Sequence, residues 1–171
     1  MTSVLKVDNI QNSSGTSALS IDSSGRVTEP QKPAFFLQGT SASNKTVGHL
    51  EVFGATDDGQ AAFSSSGTGA FLQHFSYDSA TGEITPSVSG VYFLAGCFYH
   101  NQTTDARVNI SVNGSRMVMA HHNSPQVKTV HVSAVLNLTT SDKITFVHDS
   151  GSDRTFYEGD EHTYVYGHLV G

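Results

Sequence analysis

The sequence predicts an all-β protein of about ten strands in two stacked sheets, and three observations support this. Apolar residues recur with period two, in short runs broken by Gly, Ser, Asn and Asp, which is the strand-and-turn pattern of a sandwich or barrel. Almost no segment of the 171 residues has the period of a helix. The length suits one ordinary domain with a sizeable core and a short appendage, which can fold without disulfides or metals.

Residues 1–32 form a first segment with few apolar side chains. Expected turns at residues 12–15 and 23–26 flank a short alternating strand over residues 18–22. Pro30 and Pro33 close the segment, because proline cannot donate to a strand ladder. The segment cannot bury a core of its own. We therefore expect a boundary between residues 32 and 33, and we expect the segment to pack on the main domain, on sister chains or on a docking partner.

From residue 33 to residue 171 aromatic and branched residues become dense. The pair Asn113-Gly114 is a strong two-residue hairpin signal, and residues 149–161 are expected to form a polar loop. Ten strands in one domain predict two stacked sheets, most simply a jelly roll. The expected strands cover residues 34–37, 47–53, 70–75, 83–85, 90–100, 107–112, 116–121, 130–138, 143–148 and 163–170.

Composition excludes some partners. The formal net charge is −6, from 9 Lys and Arg against 15 Asp and Glu, and no basic stripe occurs. Phosphate binding needs clustered cations, so we expect no nucleic acid partner. No apolar stretch is long enough for membrane insertion, and the first residues lack the pattern of a signal peptide, so we expect synthesis in a cytoplasm. The single cysteine, Cys97, lies in an apolar run and is expected to be a buried small hydrophobe.

One stretch carries a family resemblance. Residues 77–93 have the sequence Tyr-Asp-Ser-Ala-Thr-Gly-Glu-Ile-Thr-Pro-Ser-Val-Ser-Gly-Val-Tyr-Phe. This resembles the Tyr-Asn-x-x-Thr-Gly-x-Phe-Thr-x-Pro-x-x-Gly-x-Tyr-x-Phe signature of C1q-type globular heads. Further blocks follow in the family's order at residues 108–114, at residues 132–144, where Ser141 stands at a usual glycine, and at residues 166–169. The resemblance to the C1q/tumour-necrosis-factor domain covers roughly residues 33–171.

The resemblance implies a ten-stranded jelly roll and a tight homotrimer. The residue pattern agrees, because strands that are apolar on both faces need a second partner surface, which a sister subunit supplies. We expect the long strand from residue 90 and the final strand to make this contact, through Tyr92, Phe98, Tyr164 and Tyr166. The alternative, in which both strands lie wholly inside one sandwich, stays open.

The chain departs from animal members of the family, which usually carry a secretion signal and a collagen-like stalk. Its first segment, from Leu5 to Val27, instead resembles the short N-terminal pieces of phage fibre and decoration proteins. Together the two resemblances suggest a virion protein made in the host cytoplasm. It would be a homotrimeric fibre, knob or decoration, with a host surface glycan or protein as a further partner. Residues 1–32 would anchor it to other virion proteins through Leu5, Val7, Ile10, Leu19 and Ile21.

The sequence offers no catalytic motif, so we expect no enzyme and no cofactor. It has no zinc-ligand pattern, no G-x-S-x-G elbow and no phosphate-binding loop. We expect the nine histidines to face solvent or a trimer axis. An acidic group could hold calcium, but its spacing favours a solvated loop; it comprises Asp149, Asp153, Glu158, Asp160 and Glu161.

Two other functions remain open at this point. One is a soluble C1q/TNF-like module that binds a receptor or a glycan. The other is a glycan-acting enzyme, which would need paired carboxylates in a cleft, and the sequence offers no clear pair.

Overall fold

The computed structural model describes residues 6–40, 44–66, 69–100, 105–123, 128–157, 159 and 161–171. The chain divides into two compact units, Met1–Lys32 and Pro33–Gly171. Within the described residues both units consist of strands and turns, apart from one 3-10 turn at Thr56–Asp58.

The first unit is a three-stranded antiparallel sheet of β1 (Asn9–Gln11), β2 (Ser17–Ile21) and β3 (Val27–Thr28), in that order. Both of its turns are built around a side chain that accepts two backbone N–H groups. The Asn12 Oδ1 atom accepts from Ser14 and Thr16 at 3.0 Å. The Asp22 Oδ1 atom accepts from Ser24 at 2.8 Å and Arg26 at 3.0 Å. Such Asx-type turns explain why this polar sequence folds locally into hairpins.

The second unit is an antiparallel sandwich of two sheets. Its strands are β4 (Ala34–Gln38), β5 (Asn44–Val47), β6 (Phe71–Gln73), β7 (Phe75–Asp78), β8 (Glu83–Pro86), β9 (Gly90–His100), β10 (Ala106–Val112), β11 (Ser115–His122), β12 (Thr129–Leu138), β13 (Ile144–His148), β14 (Arg154–Tyr157) and β15 (Thr163–Leu169). The larger sheet has the order β5-β14-β9-β15-β4-β6, with β12 on β9; the smaller sheet has the order β11-β10-β13-β8-β7. The predicted all-β jelly-roll sandwich is confirmed.

The core lies between the two sheets and takes alternate residues from each strand. Aromatic side chains dominate it: the ring centroids of Phe53 and Phe98 are 4.3 Å apart, and those of Phe53 and Phe156 are 4.9 Å apart. Edge and tilted contacts of this kind add to the energy of burial. The buried set includes Phe35, Leu37, Ile84, Tyr92, Leu94, Val108, Ile110, Val132, Ile144, Phe146 and Val165.

The described part of the second unit has twelve strands where ten were expected. The predicted strand over residues 70–75 breaks at His74, which has φ +56°, so that β6 joins the larger sheet and β7 the smaller. The predicted polar loop over residues 149–161 contains β14, because Phe156 is fully buried. Of the predicted strand over residues 47–53 only Val47 belongs to a strand, as the last residue of β5. The rest is an irregular segment, in which Leu50 has φ +68° and Val52 makes an isolated bridge.

The signature stretch fixes neighbouring segments. The Tyr77 hydroxyl donates to the Gly54 carbonyl at 2.6 Å and accepts the Phe63 N–H at 2.8 Å, and burial raises the pKa of Tyr77 to about 12. Gly82 has φ +70°, and a Cβ there would lie 2.7 Å from a Val52 methyl carbon. These residues therefore hold the irregular segment before β6 against the sandwich.

Candidate functional site: the aromatic face of the larger sheet

Strand β9 is apolar on both faces, and the structure shows which face is inside. Tyr92 and Phe98 have no accessible surface in a single chain. The Tyr92 hydroxyl is satisfied locally, since it donates to the Val88 carbonyl at 2.6 Å. Neither residue can touch a second chain, so the predicted four-residue interface needs correction at these two positions. The physical reason is strand alternation, which places Phe93, rather than Tyr92, on the outer side.

The outer side of the larger sheet forms one continuous surface, which we call the aromatic face. Its first row joins Phe36 of β4, Tyr166 of β15, Ala95 of β9 and Ser133 of β12, which are successive partners in the strand register. The second row joins Gln38, Tyr164, Cys97 and His131, and the third joins Ala34, His168, Phe93 and Val135. The structure thus brings the predicted Tyr164 and Tyr166 together with Phe36 and Phe93, which were not among the predicted interface residues.

The aromatic side chains of this face contact one another across the strands. The ring centroids of Phe36 lie 5.7 Å from Tyr164 and 6.4 Å from Tyr166. Phe93 lies 6.1 Å from Tyr166 and 5.6 Å from the imidazole of His168. All four aromatic residues remain partly exposed, and Val135 beside Phe93 is 61% exposed. The rings therefore form one connected, partly exposed aromatic surface on the single chain.

Small residues between the aromatic rings complete the surface. Ala95 and Cys97 are almost buried, opposite Tyr166 and Tyr164 in the register. Burial raises the pKa of the Cys97 thiol, so it stays protonated and behaves as the small hydrophobe that the sequence predicts. The Cys97 sulfur lies 3.9 Å from Nε2 of His131. No Lys, Arg, Asp or Glu occupies an outward position of β4, β9 or β15, and such depletion of charge is typical of an interface core.

The predicted anchor residues lie in the first unit around a small apolar hollow. Val7, Ile10, Leu19 and Ile21 line it together with Val27, and its volume is about 60 Å³. Ile10 is 50% exposed and Val27 is 61% exposed, so the unit shows an apolar surface to its surroundings. Leu5, the fifth predicted anchor residue, lies outside the described residues.

The acidic residues considered for calcium do not converge in the described part of the chain. Asp149 pairs with Arg116, whereas Glu158 and Asp160 lie outside the described residues. Among the residues that are described, no group of three or more His, Cys, Asp or Glu side chains is placed to hold a metal ion. No helix in the described part is long and apolar enough to cross a membrane.

Comparison with known proteins defines the class. Residues 69–170 match the family model of the C1q domain. The fold is similar to Eiger TNF from S. frugiperda, with a TM-score of 0.68, 13% identity, and coverage of 82% of this chain and 94% of that chain. It is also similar to the globular domain of zebrafish complement 1qA protein, with a TM-score of 0.54, 19% identity, and coverage of 82% and 98%.

A third similar structure is murine APRIL, with a TM-score of 0.57, 10% identity, and coverage of 81% and 99%. No curated protein sequence matches the chain. The family model covers more than half of the sequence, so the chain belongs to the C1q domain family. Domains of this C1q/TNF-like class are generally binding modules without catalytic activity.

Proposed function

We propose that this chain is a homotrimeric binding and structural protein, in which the aromatic faces of three copies pack together. The single observation that carries the proposal is the aromatic face itself, a continuous and uncharged surface of Phe36, Phe93, Tyr164 and Tyr166 on a folded domain. Obligate interfaces resemble a domain core cut in half, and this face has that composition. A closed ring of identical copies is a common way to cover such a surface.

A charge placed in the middle of the aromatic face tests this proposal. Tyr166 lies between the rows of Tyr164 and His168 and contacts both Phe36 and Phe93. Tyr166→Glu would therefore place an unpaired carboxylate at the centre of the interface. Burying such a charge is strongly unfavourable. We expect Tyr166→Glu to be a folded monomer or an aggregate by light scattering. The matched control is Met119→Glu, at an exposed position of β11 on the smaller sheet, which should stay trimeric. A trimeric Tyr166→Glu protein would contradict the proposal.

We further propose that the trimer belongs to a bacteriophage virion, as a fibre, knob or decoration on the particle. Two features support this: the first segment resembles phage fibre and decoration proteins, and its three-stranded sheet exposes Ile10 and Val27 beside an apolar hollow. The first unit would dock on other virion proteins, and the second would be displayed. Three copies of a weak site on one particle raise avidity without tight individual binding.

Substitutions on the two sides of the first sheet test the anchoring. Ile10→Asp changes the apolar side, and Thr28→Asp changes the opposite side, because Thr28 pairs with Ser20 while Ile10 pairs with Leu19. In phage that carry each substitution, we expect Ile10→Asp to remove the protein from purified virions and Thr28→Asp to leave it there, as measured by quantitative mass spectrometry. Equal incorporation of both variants would contradict the anchor. A protein absent from all virions, yet trimeric in solution, would favour the soluble receptor- or glycan-binding module instead.

A further inference from the structure

The outer side of the smaller sheet contains a cavity of about 600 Å³, which we call the outer-sheet cavity. Its floor consists of outward residues of β10 and β13, namely Asn109, Ser111 and Thr145. The volume falls within the range of about 300–1,000 Å³ that small-molecule sites occupy. The cavity lies on the sheet opposite the aromatic face, so a trimer built on that face would leave it open.

The cavity exists because the edge of β13 changes partner. At its start β13 pairs with β8 through Ile144 and Ile84. At its end the same edge pairs with the irregular segment before β6: Val52 bridges Val147, and the Leu50 N–H donates to the His148 carbonyl at 2.8 Å. The two partners leave a hollow between them. Its wall includes Leu50 and Val52.

The floor is a polar network that is held in place. Ser111 Oγ donates to Asn109 Oδ1 at 2.7 Å, and Asn109 Nδ2 donates to Asp149 Oδ2 at 3.4 Å. Arg116 completes the chain by pairing with Asp149. Asn109, Ser111 and Asp149 are 2%, 5% and 7% exposed, so these polar groups are largely shielded from solvent. Since buried polar groups are costly unless bonded, the network fixes the direction of each group before a ligand arrives.

The charges around the cavity cancel in pairs. Arg116 is paired with Asp149, and Lys143 is paired with Glu83 at one end of the cavity. The site therefore offers no net charge to an anion, but it still offers both donors and acceptors. A guanidinium has five N–H donors, an ammonium has three, and a serine hydroxyl keeps two lone pairs. A ligand that donates and accepts hydrogen bonds without a charge of its own matches this set.

Apolar surface lines the opposite wall. Leu50 is 58% exposed, and its backbone has φ +68°, a conformation that leucine rarely adopts. The fold thus holds an aliphatic side chain at the rim at a cost in backbone strain, which is a feature of ligand sites. Val52 and Val147 continue this wall towards the floor. An occupant would have a C–H surface on one side and hydroxyl groups on the other, which is the chemistry of a sugar ring.

We propose that the outer-sheet cavity binds carbohydrate, as one or two residues of a neutral saccharide. The hydroxyl groups would bond Ser111, Thr145 and Arg116, and the C–H side would lie against Leu50 and Val52. The site is complete within one chain, so this binding does not depend on the trimer or on the virion.

The proposal is tested first by probing an array of neutral and acidic oligosaccharides with the full chain. The neutral sugar that binds best is then titrated by NMR. We expect binding of neutral sugars with a dissociation constant on the order of millimolar for a single site. Thr145→Tyr fills the cavity and should abolish binding. Thr85→Tyr is the matched control, because Thr85 lies on β8 outside the cavity, and it should bind like the unmodified chain.

A second variant guards against loss of folding. Leu50→Asn removes the aliphatic rim, and asparagine tolerates the left-handed backbone better than leucine, so this variant should unfold at the same temperature or higher. We expect its affinity for the neutral sugar to fall at least five-fold. Three results would each overturn the proposal. They are failure of every neutral sugar to bind, binding of acidic sugars alone, and binding that neither Thr145→Tyr nor Leu50→Asn changes. A monomeric chain that still binds sugar would refute the trimer and leave this site intact.

Discussion

Acid should destabilise this protein through His100, a histidine buried in the core. His100 has no accessible surface, and neither ring nitrogen has a hydrogen-bond partner among the described residues. Burial lowers the pKa of His100 to about 4. Nearby positive charges act in the same direction; they come from His122 and His148, when these are protonated, and from Lys128 and Arg154. The imidazole is therefore neutral at pH 7, and it stays neutral well below its ordinary pKa of 6.5.

The sign of the effect follows from proton linkage. The unfolded chain binds a proton at His100 near pH 6.5, whereas the folded chain resists it down to about pH 4. Stability is therefore complete above pH 6.5 and is lost as the pH falls. The free energy of unfolding should drop by about 2 kcal/mol at pH 5 and about 3 kcal/mol at pH 4 from this one group.

Urea unfolding at fixed chain concentration between pH 7.5 and pH 4 measures the effect. His100→Phe replaces the imidazole with an apolar ring that cannot bind a proton. The new ring would pack beside Phe156, whose centroid lies 6.0 Å from that of His100. We expect this variant to lose most of the pH dependence. A remainder should come from His148, whose pKa is also lowered by burial. His121→Phe, at an exposed site, is the control and should keep the dependence. A His100→Phe variant with the full pH dependence would show that His100 does not cause it.

Three substitutions in the second unit, each followed by urea unfolding at fixed chain concentration, test the packing. Tyr77→Phe leaves the Phe63 N–H and the Gly54 carbonyl without their partner and should cost about 1–3 kcal/mol; no loss would mean that water replaces the hydroxyl. Gly167→Ala places a Cβ 2.7 Å from Leu94 and Phe35 and 2.9 Å from the Phe93 carbonyl oxygen and should cost about 1–3 kcal/mol; a stabilised variant would contradict this packing. Phe98→Ala should cost about 3–5 kcal/mol because the ring is fully buried, whereas an interface-only role predicts an unchanged monomer.

Local patterns predict most of the strands, because turns and alternation are local signals. The hairpin at Asn113-Gly114 joins β10 to β11 as expected, with both residues at positive φ. The inward residues of β13, Ile144 and Phe146, are also as predicted. In β10 the outward residues Arg107, Asn109 and Ser111 are polar, so the period-two pattern fixes the orientation of this strand.

The pattern fails where a strand is apolar on both sides. In β9 both sets of residues are apolar, so alternation alone cannot say whether Tyr92 or Phe93 faces the core. The decision depends on distant packing. The inward Gly96 lies beside Phe98 and Phe146, and Val88 supplies the acceptor for the Tyr92 hydroxyl. Phe93 and Phe36 could have been found by weighing both faces of β9 and β4.

Two other features depend on long-range contacts that local reasoning does not capture. The nine histidines were expected to face solvent or a trimer axis; His131 and His168 lie on the aromatic face as exposed residues, but His100 and His148 are fully buried. The outer-sheet cavity forms only because residues about 95 positions apart, Val52 and Val147, pair across the sheet. A single sequence contains no local signal for such a pairing.

The native mass of the full chain across a range of concentrations shows whether three copies assemble. The chain has a mass of 18.2 kDa, and we propose that its aromatic face is covered by two further copies. Light scattering or native mass spectrometry should give a species of about 55 kDa, three times the chain mass, that persists on dilution to low micromolar concentration. A stable monomer or dimer at these concentrations would contradict the proposed trimer, because the aromatic face would then be exposed or covered in another way.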